Sequence, residues 1–133
     1  MTETRMIERT VAVIALAGIA LVHLLDAHDT FVETPYKGWL FVGLIVGSLA
    51  TAAVLLRSDD RRAWLAAFGL AGGAFGAYMV SRTVGLPGGA GDIGNWWEPL
   101  GLASLFVEGA LVALAGSVLR DPAPVRSRAV VAR

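Results

Sequence analysis

The chain has 133 residues, 56% of them hydrophobic, which is more apolar surface than a water-soluble domain of this size buries, so the sequence indicates a membrane protein. Its formal net charge is zero, which argues against a nucleic-acid partner because there is no basic stripe to contact phosphates. The lack of cysteine excludes disulfides, thiolate metal sites and c-type haem attachment.

Four apolar segments of the sequence are long enough to cross a bilayer. A helix needs roughly 20 mainly apolar residues to cross the ~30 Å hydrocarbon core. Such segments cover residues 7–25, 38–56, 63–80 and 100–119. The sequence therefore predicts an all-α integral membrane four-helix bundle over residues 1–121, followed by a flexible cytoplasmic tail over residues 122–133.

The distribution of Lys and Arg predicts the orientation of the bundle. Nine of the eleven basic side chains lie in the termini and in the connection near residue 59, whereas only Lys37 and Arg82 lie in the other two connections. Short cytoplasmic segments are enriched in Lys and Arg. We therefore expect a multi-pass protein of the plasma (inner) membrane, with both termini cytoplasmic and two longer extracytoplasmic loops over residues 27–37 and 83–98.

Small residues repeat at helical spacing in the second and third spans. Gly43 and Gly47 mark one span, and Gly69, Gly73 and Gly76 mark the next. Helices in lipid associate by close backbone approach through small residues, so the pattern predicts a compact bundle. The alternative is that these faces bind a second copy or a partner membrane subunit. Because four short helices are expected to enclose only a small cavity, a transport role would depend on oligomerisation.

Ionisable residues cluster at the outer end of the first span. His23 and Asp26 are three residues apart and so share one helix face, and His28 follows near the helix exit. Imidazole and carboxylate groups together bind divalent metals such as Cu, Zn or Fe. With Glu98 from the second outer loop, these residues form the predicted metal site. The alternative is that His23 and Asp26 only hydrogen-bond neighbouring segments.

Glu108 lies near the middle of the fourth span, ten residues after Glu98 and so roughly 15 Å deeper along the helix. An ionisable group at that depth is costly and marks a functional candidate. Ser104 lies one turn outward on the same face, and Tyr78 lies at the outer end of the third span. We predict that these three side chains form a proton or cation relay. The alternative for Glu108 is a buried hydrogen bond that fixes the bundle.

Arg82 is one of two basic residues on the predicted outer side, where five carboxylates also lie. We therefore expect an ion pair between Arg82 and a carboxylate, with Asp26 or Glu98 as the partner. Such a pair either clasps the fold together or gates a site.

Trp96 and Trp97 precede the fourth span, whose first residue is predicted to be close to Pro99. Paired tryptophans are typical of the membrane–water interface. The alternative is that both side chains line a ligand site.

Two segments carry a resemblance to known sequences. They are SRTVGLPG, from Ser81 to Gly88, and NWWEPLGLASLFVEG, from Asn95 to Gly109, with His23-Leu-Leu-Asp26 as a weaker match. The chain resembles small uncharacterised four-helix membrane proteins of actinobacterial type. The resemblance implies the four-helix fold, and no activity comes with it.

These observations together favour a cation-binding membrane protein. The predicted site for a metal ion or other cation opens outward, and the protein would transport the ion or deliver it to a partner. The competing hypotheses are an accessory subunit of a larger membrane complex and a binder of a hydrophobic cofactor, quinone or haem, with His23 as an axial ligand. An enzyme has no support, since there is no cysteine nucleophile and no GxSxG-type elbow.

Overall fold

The computed structural model describes residues 1–121, which form four long α-helices and one short 3-10 turn. In chain order the elements are α1 (Glu3–Glu33), α2 (Pro35–Arg57), α3 (Arg61–Thr83), the turn Ala90–Asp92 and α4 (Pro99–Arg120). All four α-helices are long and apolar enough to cross a membrane. The prediction of an all-α protein with four candidate membrane spans is thereby confirmed. The predicted tail over residues 122–133 lies outside the described residues.

Capping side chains extend the helices beyond the apolar segments that predict them. Thr2 Oγ1 accepts a hydrogen bond from the backbone N–H of Arg5, and Asp60 Oδ1 accepts one from that of Arg62. The Glu98 carboxylate accepts hydrogen bonds from the backbone N–H groups of Leu100 and Gly101 at the start of α4. Each cap pairs backbone donors of a first helical turn, which have no partner within the helix itself.

The connection between α1 and α2 differs from the predicted loop over residues 27–37. Helix α1 continues to Glu33, and Thr34 alone separates it from α2, which begins at Pro35. The residue before a proline is disfavoured in the α conformation, and Thr34 accordingly has φ −147° and ψ 85°. His28 and Asp29 therefore lie on a helix. Of the two predicted long loops, only the one between α3 and α4, over residues 84–98, is a long connection in the structure. The side of the membrane on which each connection lies stays a prediction.

The helices pack in the cyclic order α1, α2, α3, α4, with α4 in contact with α1. The pairs α1–α2 and α3–α4 pack most extensively, and α2–α3 is the loosest neighbouring pair. We call the end that holds the start of α1 and the connection 58–60 the terminal half. The opposite end, which holds Thr34 and the connection 84–98, is the loop half.

The hydrophobic core lies towards the terminal half. Its five large, fully buried apolar side chains are Leu16 and Ile19 of α1, Leu55 of α2, Trp64 of α3 and Leu111 of α4. Small residues complete the core: Ala12, Ala52, Ala63, Ala67, Ala71 and Ala115. Interdigitation of large and small side chains from all four helices fixes this end of the bundle.

Arginine side chains tie helix ends together in the terminal half. Arg9 Nε donates to the Leu55 carbonyl oxygen at 2.9 Å, and Arg61 Nη2 donates to the Leu119 carbonyl oxygen at 3.1 Å. Both carbonyls belong to the last turn of a helix, where backbone partners are missing. Part of the basic cluster at this end therefore has a structural role in addition to any influence on membrane orientation.

The helical glycines divide between packing and exposure. A Cβ atom at Gly47 would lie 3.1 Å from Leu70 Cδ2, and one at Gly109 would lie 3.3 Å from Phe75 Cε2, so these glycines permit close helix contact. Four exposed glycines instead meet no heavy atom of the described residues within 4 Å of a Cβ position: Gly43, Gly69, Gly73 and Gly76. The predicted close packing thus involves only some of the small residues, and oligomerisation through the others stays a prediction.

Candidate functional site

The helices leave a cavity of about 780 Å³ in the loop half. This is far larger than the small enclosure expected of four short helices, because the large apolar side chains that fill the terminal half have no counterpart here. Six carboxylates line the cavity against two basic side chains, Lys37 and Arg82. The acidic residues are Asp26, Asp29, Glu33, Asp92, Glu98 and Glu108. The cavity is therefore strongly acidic.

Glu108, Ser104 and His23 lie together at the deepest polar part of the cavity. The Glu108 side chain is 0% exposed. Ser104 Oγ donates a hydrogen bond of 2.5 Å to Glu108 Oε1, and His23 Nε2 lies 3.6 Å from the same oxygen. The structure thus brings an imidazole from α1 to the Glu108 carboxyl group, for which the sequence offers no Lys or Arg partner within a span.

The orientation of the His23 ring follows from its other nitrogen. Nδ1 lies 2.8 Å from the Ile19 carbonyl oxygen, one helical turn earlier. A carbonyl only accepts hydrogen bonds, so Nδ1 carries the hydrogen and Nε2 of a neutral ring has a free lone pair facing Glu108. The Phe41 ring packs edge-on against the imidazole at a centroid distance of 4.7 Å. Ile19 and Phe41 together fix the orientation of the imidazole ring, with Nε2 facing Glu108.

Three polar atoms of residues that line the cavity are buried and have no hydrogen-bond partner within residues 1–121. They are Glu108 Oε2, Tyr78 Oη and Arg82 Nε. An unpaired buried polar atom costs free energy, and the cost is larger when the group carries a charge. These are three of the five such atoms within residues 1–121, and their concentration around one cavity indicates a place built for polar contact with something other than these side chains.

The wall above Glu108 is formed by Asp26 and Glu98. Thr30 Oγ1 lies 3.5 Å from Asp26 Oδ2, a long hydrogen bond at best. The Glu98 carboxylate accepts hydrogen bonds from the backbone N–H groups of Leu100 at 3.0 Å and Gly101 at 2.5 Å. The Glu98 carboxylate thus caps the start of α4, whereas Asp26 has only this one long contact and can accept further hydrogen bonds.

Arg82 pairs with a different carboxylate from those predicted. Its Nη1 lies 3.5 Å from Asp92 Oδ1, rather than beside Asp26 or Glu98. Lys37 Nζ lies 2.7 Å from Asp92 Oδ2, so both basic residues of the loop half contact one carboxylate. The 3-10 turn that ends at Asp92 explains the difference, since it carries Asp92 over the ends of α2 and α3. We call Lys37, Asp92 and Arg82 the loop clamp.

Further contacts attach the 84–98 connection to the helices. Tyr36 Oη donates to the Pro87 carbonyl oxygen at 2.6 Å, and the backbone N–H of Gly94 donates to the Arg82 carbonyl oxygen at 2.8 Å. Gly94 has a φ of 78°, a conformation that favours glycine. The connection is therefore fixed across α2 and α3 and contributes to the cavity wall.

Three predicted site residues lie outside the cavity. His28 is exposed on α1 and does not join His23, Asp26 and Glu98, because a separation of five residues from His23 turns it to another helix face. Trp97 is 86% exposed. Trp96 packs against the Tyr78 ring at 6.1 Å and does not itself line the cavity. Neither tryptophan therefore lines the cavity, unlike in the alternative of a ligand-lining pair.

The predicted metal ligands do not form a ligand group. Within residues 1–121, no three His, Asp or Glu side chains are arranged to hold a metal ion. His23 faces Glu108, and Glu98 is engaged with the α4 backbone. Binding of Cu, Zn or Fe stays a prediction that requires rearrangement of these side chains.

Two functional contacts of the loop half have weak signals in the sequence. Lys37 is recognisable as the second basic residue at this end, but its partner Asp92 is fifty-five positions away. Phe41 looks like any apolar residue of a span, and only the tertiary structure shows that it packs against His23. Contacts between distant segments of this kind are not encoded in local spacing.

The sequence matches no protein-family model, and neither a curated protein nor a solved structure matches it. The resemblance to small actinobacterial membrane proteins stays a prediction. The functional interpretation therefore rests on the geometry of the cavity.

Proposed function

We propose that this protein is a small membrane protein that binds a small organic cation in the acidic cavity of its loop half. The observation that carries the proposal is Glu108 Oε2, a carboxyl oxygen that is fully buried beside the cavity and unpaired within the described chain. A cationic donor bound there would supply the missing hydrogen bond and compensate the charge.

The charge of the surrounding wall supports a cation over an anion. Six carboxylates face the cavity, and the two basic residues are both held by Asp92. An anion would meet uncompensated carboxylates on entering, whereas a cation is attracted by them. Asp26 offers a second carboxylate above Glu108.

The size of the cavity supports an organic cation over a bare ion. About 780 Å³ lies in the range of pockets that hold small molecules, which is about 300–1,000 Å³. The wall also has apolar parts, including Leu40, Leu44 and Phe41. A molecule with an ammonium group and an apolar portion would contact both kinds of surface. A divalent metal is the competing cation.

Binding of haem through His23 has less support from the geometry. Nδ1 of His23 is engaged by the Ile19 carbonyl, and Nε2 faces Glu108 Oε1 at 3.6 Å. An axial ligand needs a free ring nitrogen pointing at the iron. Haem ligation would therefore require Glu108 to move away.

We further propose that the cavity faces outward. The terminal half carries the basic residues Arg5, Arg9, Arg57, Arg61, Arg62 and Arg120, whereas the loop half carries Lys37 and Arg82. Because basic residues are enriched on the cytoplasmic side of membrane proteins, this distribution favours a cytoplasmic terminal half. The protein would then collect a cation from the outer side, for transport or for delivery to a partner.

The test is a titration of the purified protein with benzylamine, a water-soluble primary amine that is cationic at neutral pH. Isothermal titration calorimetry should show binding, and Glu108→Gln should weaken it about 10- to 100-fold, since a hydrogen bond to a charged group is lost. Glu3→Gln is the matched control, because it makes the same change at an exposed site in the terminal half.

Benzyl alcohol provides a second control, because it retains the ring but lacks the charge. The proposal expects it to bind at least about tenfold more weakly than benzylamine. Equal binding of the two compounds, or benzylamine binding that is insensitive to Glu108→Gln, would contradict a cation site. If no amine binds, the proposal is wrong, and a divalent metal, a hydrophobic cofactor and a role as an accessory subunit are the competing hypotheses.

A further inference from the structure

The cavity is lined by residues of α2 and α3, which are the most loosely packed pair of neighbouring helices. These two helices touch where a Cβ at Gly47 would lie 3.1 Å from Leu70 Cδ2. Further towards the loop half, neither Gly43 nor Gly73 has a heavy atom of the described residues within 4 Å of its Cβ position. Space is therefore free beside both glycines, beyond the Gly47–Leu70 contact.

Residues of α2 and α3 beside this space both line the cavity and are exposed. Leu40 is 63% exposed, and Gly73 and Ala77 are exposed as well, yet all three belong to the cavity wall. A residue that is enclosed on all sides cannot combine these two properties. We call the gap bounded by Leu40, Leu44, Gly73 and Ala77 the side opening.

The side opening reaches the depth of Glu108. Residues within two positions of Gly73 pack against residues within four positions of Glu108, since a Cβ at Gly72 would lie 3.8 Å from Val112 and one at Gly109 would lie 3.3 Å from Phe75. Gly73 is ten residues before the end of α3 at Thr83, which corresponds to roughly 15 Å along the axis. That depth lies within the hydrocarbon core of a bilayer spanned by these helices.

The two openings differ in chemistry. The mouth at the loop end is bordered by Asp29 and Glu33, which are exposed carboxylates suited to a water-soluble cation. The side opening is bordered by leucine, glycine and alanine, which suit a hydrocarbon chain. Between the two lies the buried and unpaired Glu108 Oε2.

We infer that the natural ligand is an amphipathic amine that enters the cavity from the bilayer through the side opening. Its ammonium group would contact Glu108, and its alkyl chain would lie between α2 and α3 against Leu40 and Leu44. This inference rests on the proposed cation site and adds to it the route of entry and the apolar portion of the ligand.

Dodecylamine is a suitable probe, with the protein in phosphatidylcholine nanodiscs so that the bilayer itself supplies no primary amine. Saturation binding of labelled dodecylamine, corrected with empty nanodiscs, measures occupancy. Gly73→Leu should weaken dodecylamine binding about tenfold or more by filling the side opening. It should weaken benzylamine binding at least about threefold less than dodecylamine binding, because benzylamine can enter at the charged mouth.

Gly76→Leu is the matched control. Gly76 is an exposed glycine of the same helix with equally free space at its Cβ position, but it does not line the cavity. The variant should bind both amines as the wild type does. Both leucine variants are expected to fold, since a Cβ at either position has no heavy atom of the described chain within 4 Å and leucine is favoured over glycine in a helix.

The outcomes separate this inference from the proposed function. If the wild type binds neither amine, the cation site itself is wrong. If it binds benzylamine but not dodecylamine, or if Gly73→Leu and Gly76→Leu have the same effect on dodecylamine, the cation site stands and the side opening is not the entry route. Equal weakening of both amines by Gly73→Leu would also contradict entry from the bilayer.

Discussion

The two halves of this bundle use the same four helices in opposite ways. In the terminal half, Leu16, Ile19 and Trp64 fill the space between the helices, and the core is apolar. In the loop half, Glu108 and His23 point into a space of about 780 Å³ that no large side chain fills. The first half holds the fold together, which allows the second to keep buried polar groups without collapsing around them.

The comparison also explains why ionisable residues are tolerated in the loop half. Buried polar groups cost stability unless they are paired, and the packed core must offset that cost. Proteins commonly retain such unfavourable groups at functional sites. Three of the five buried side-chain polar atoms that lack a partner within residues 1–121 belong to residues that line the loop-half cavity, which is the main reason to place function there.

Loss of packing in the terminal half should change the free energy of unfolding most, and so tests this division of the bundle most strongly. Leu16→Ala should lower the free energy of unfolding by about 3 kcal/mol, because it leaves a cavity at a fully buried position. Leu40→Ala removes the same atoms at the edge of the cavity, where the side chain is 63% exposed, and should cost less than about 1 kcal/mol. Reversible unfolding in mixed micelles measures both values. Similar losses would show that the two halves are packed alike.

Substitutions that remove an ion pair should have an intermediate effect on the free energy of unfolding, and each half contains such a pair. Asp92→Asn removes the shared partner of Lys37 and Arg82 in the loop clamp and should cost about 1–3 kcal/mol, since both basic groups are largely buried. It should also speed amide hydrogen exchange in the 84–98 connection.

The control in the terminal half is Asp121→Asn. Asp121 lies 3.6 Å from Arg5, but its side chain is 63% exposed, so the loss should stay below about 0.5 kcal/mol. A loss at Asp121 as large as that at Asp92 would contradict a special role for the loop clamp. Unchanged hydrogen exchange in the Asp92→Asn variant would do so as well.

The sequence predicts the helices of this protein much better than the contacts between them. Apolar length alone identifies the four candidate spans, since each helix contains one predicted segment. The first connection is mispredicted because His28 and Asp29 look like loop residues, although nothing before Pro35 stops the helix. Polarity indicates where a span leaves the membrane and not where a helix ends.

The candidate site is predictable from the sequence only where its residues lie on one helix. Ser104 and Glu108 are one turn apart on a single helix, so their proximity follows from helical spacing. The approach of His23 to Glu108 and of Arg82 to Asp92 depends on how different segments pack, and no local pattern specifies it. The separation of α2 from α3 is likewise a property of the assembled bundle.

The loop half is proposed to hold a cation against Glu108. The most direct measurement is a crystal structure of the protein with 4-bromobenzylamine, in which anomalous scattering locates the bromine and density shows the ammonium. We predict an ammonium group within about 3 Å of Glu108 Oε2, the usual distance of a charge-assisted hydrogen bond, with the ring in the cavity. A ligand bound only at the exposed carboxylates Asp29 and Glu33, with nothing beside Glu108, would contradict the account.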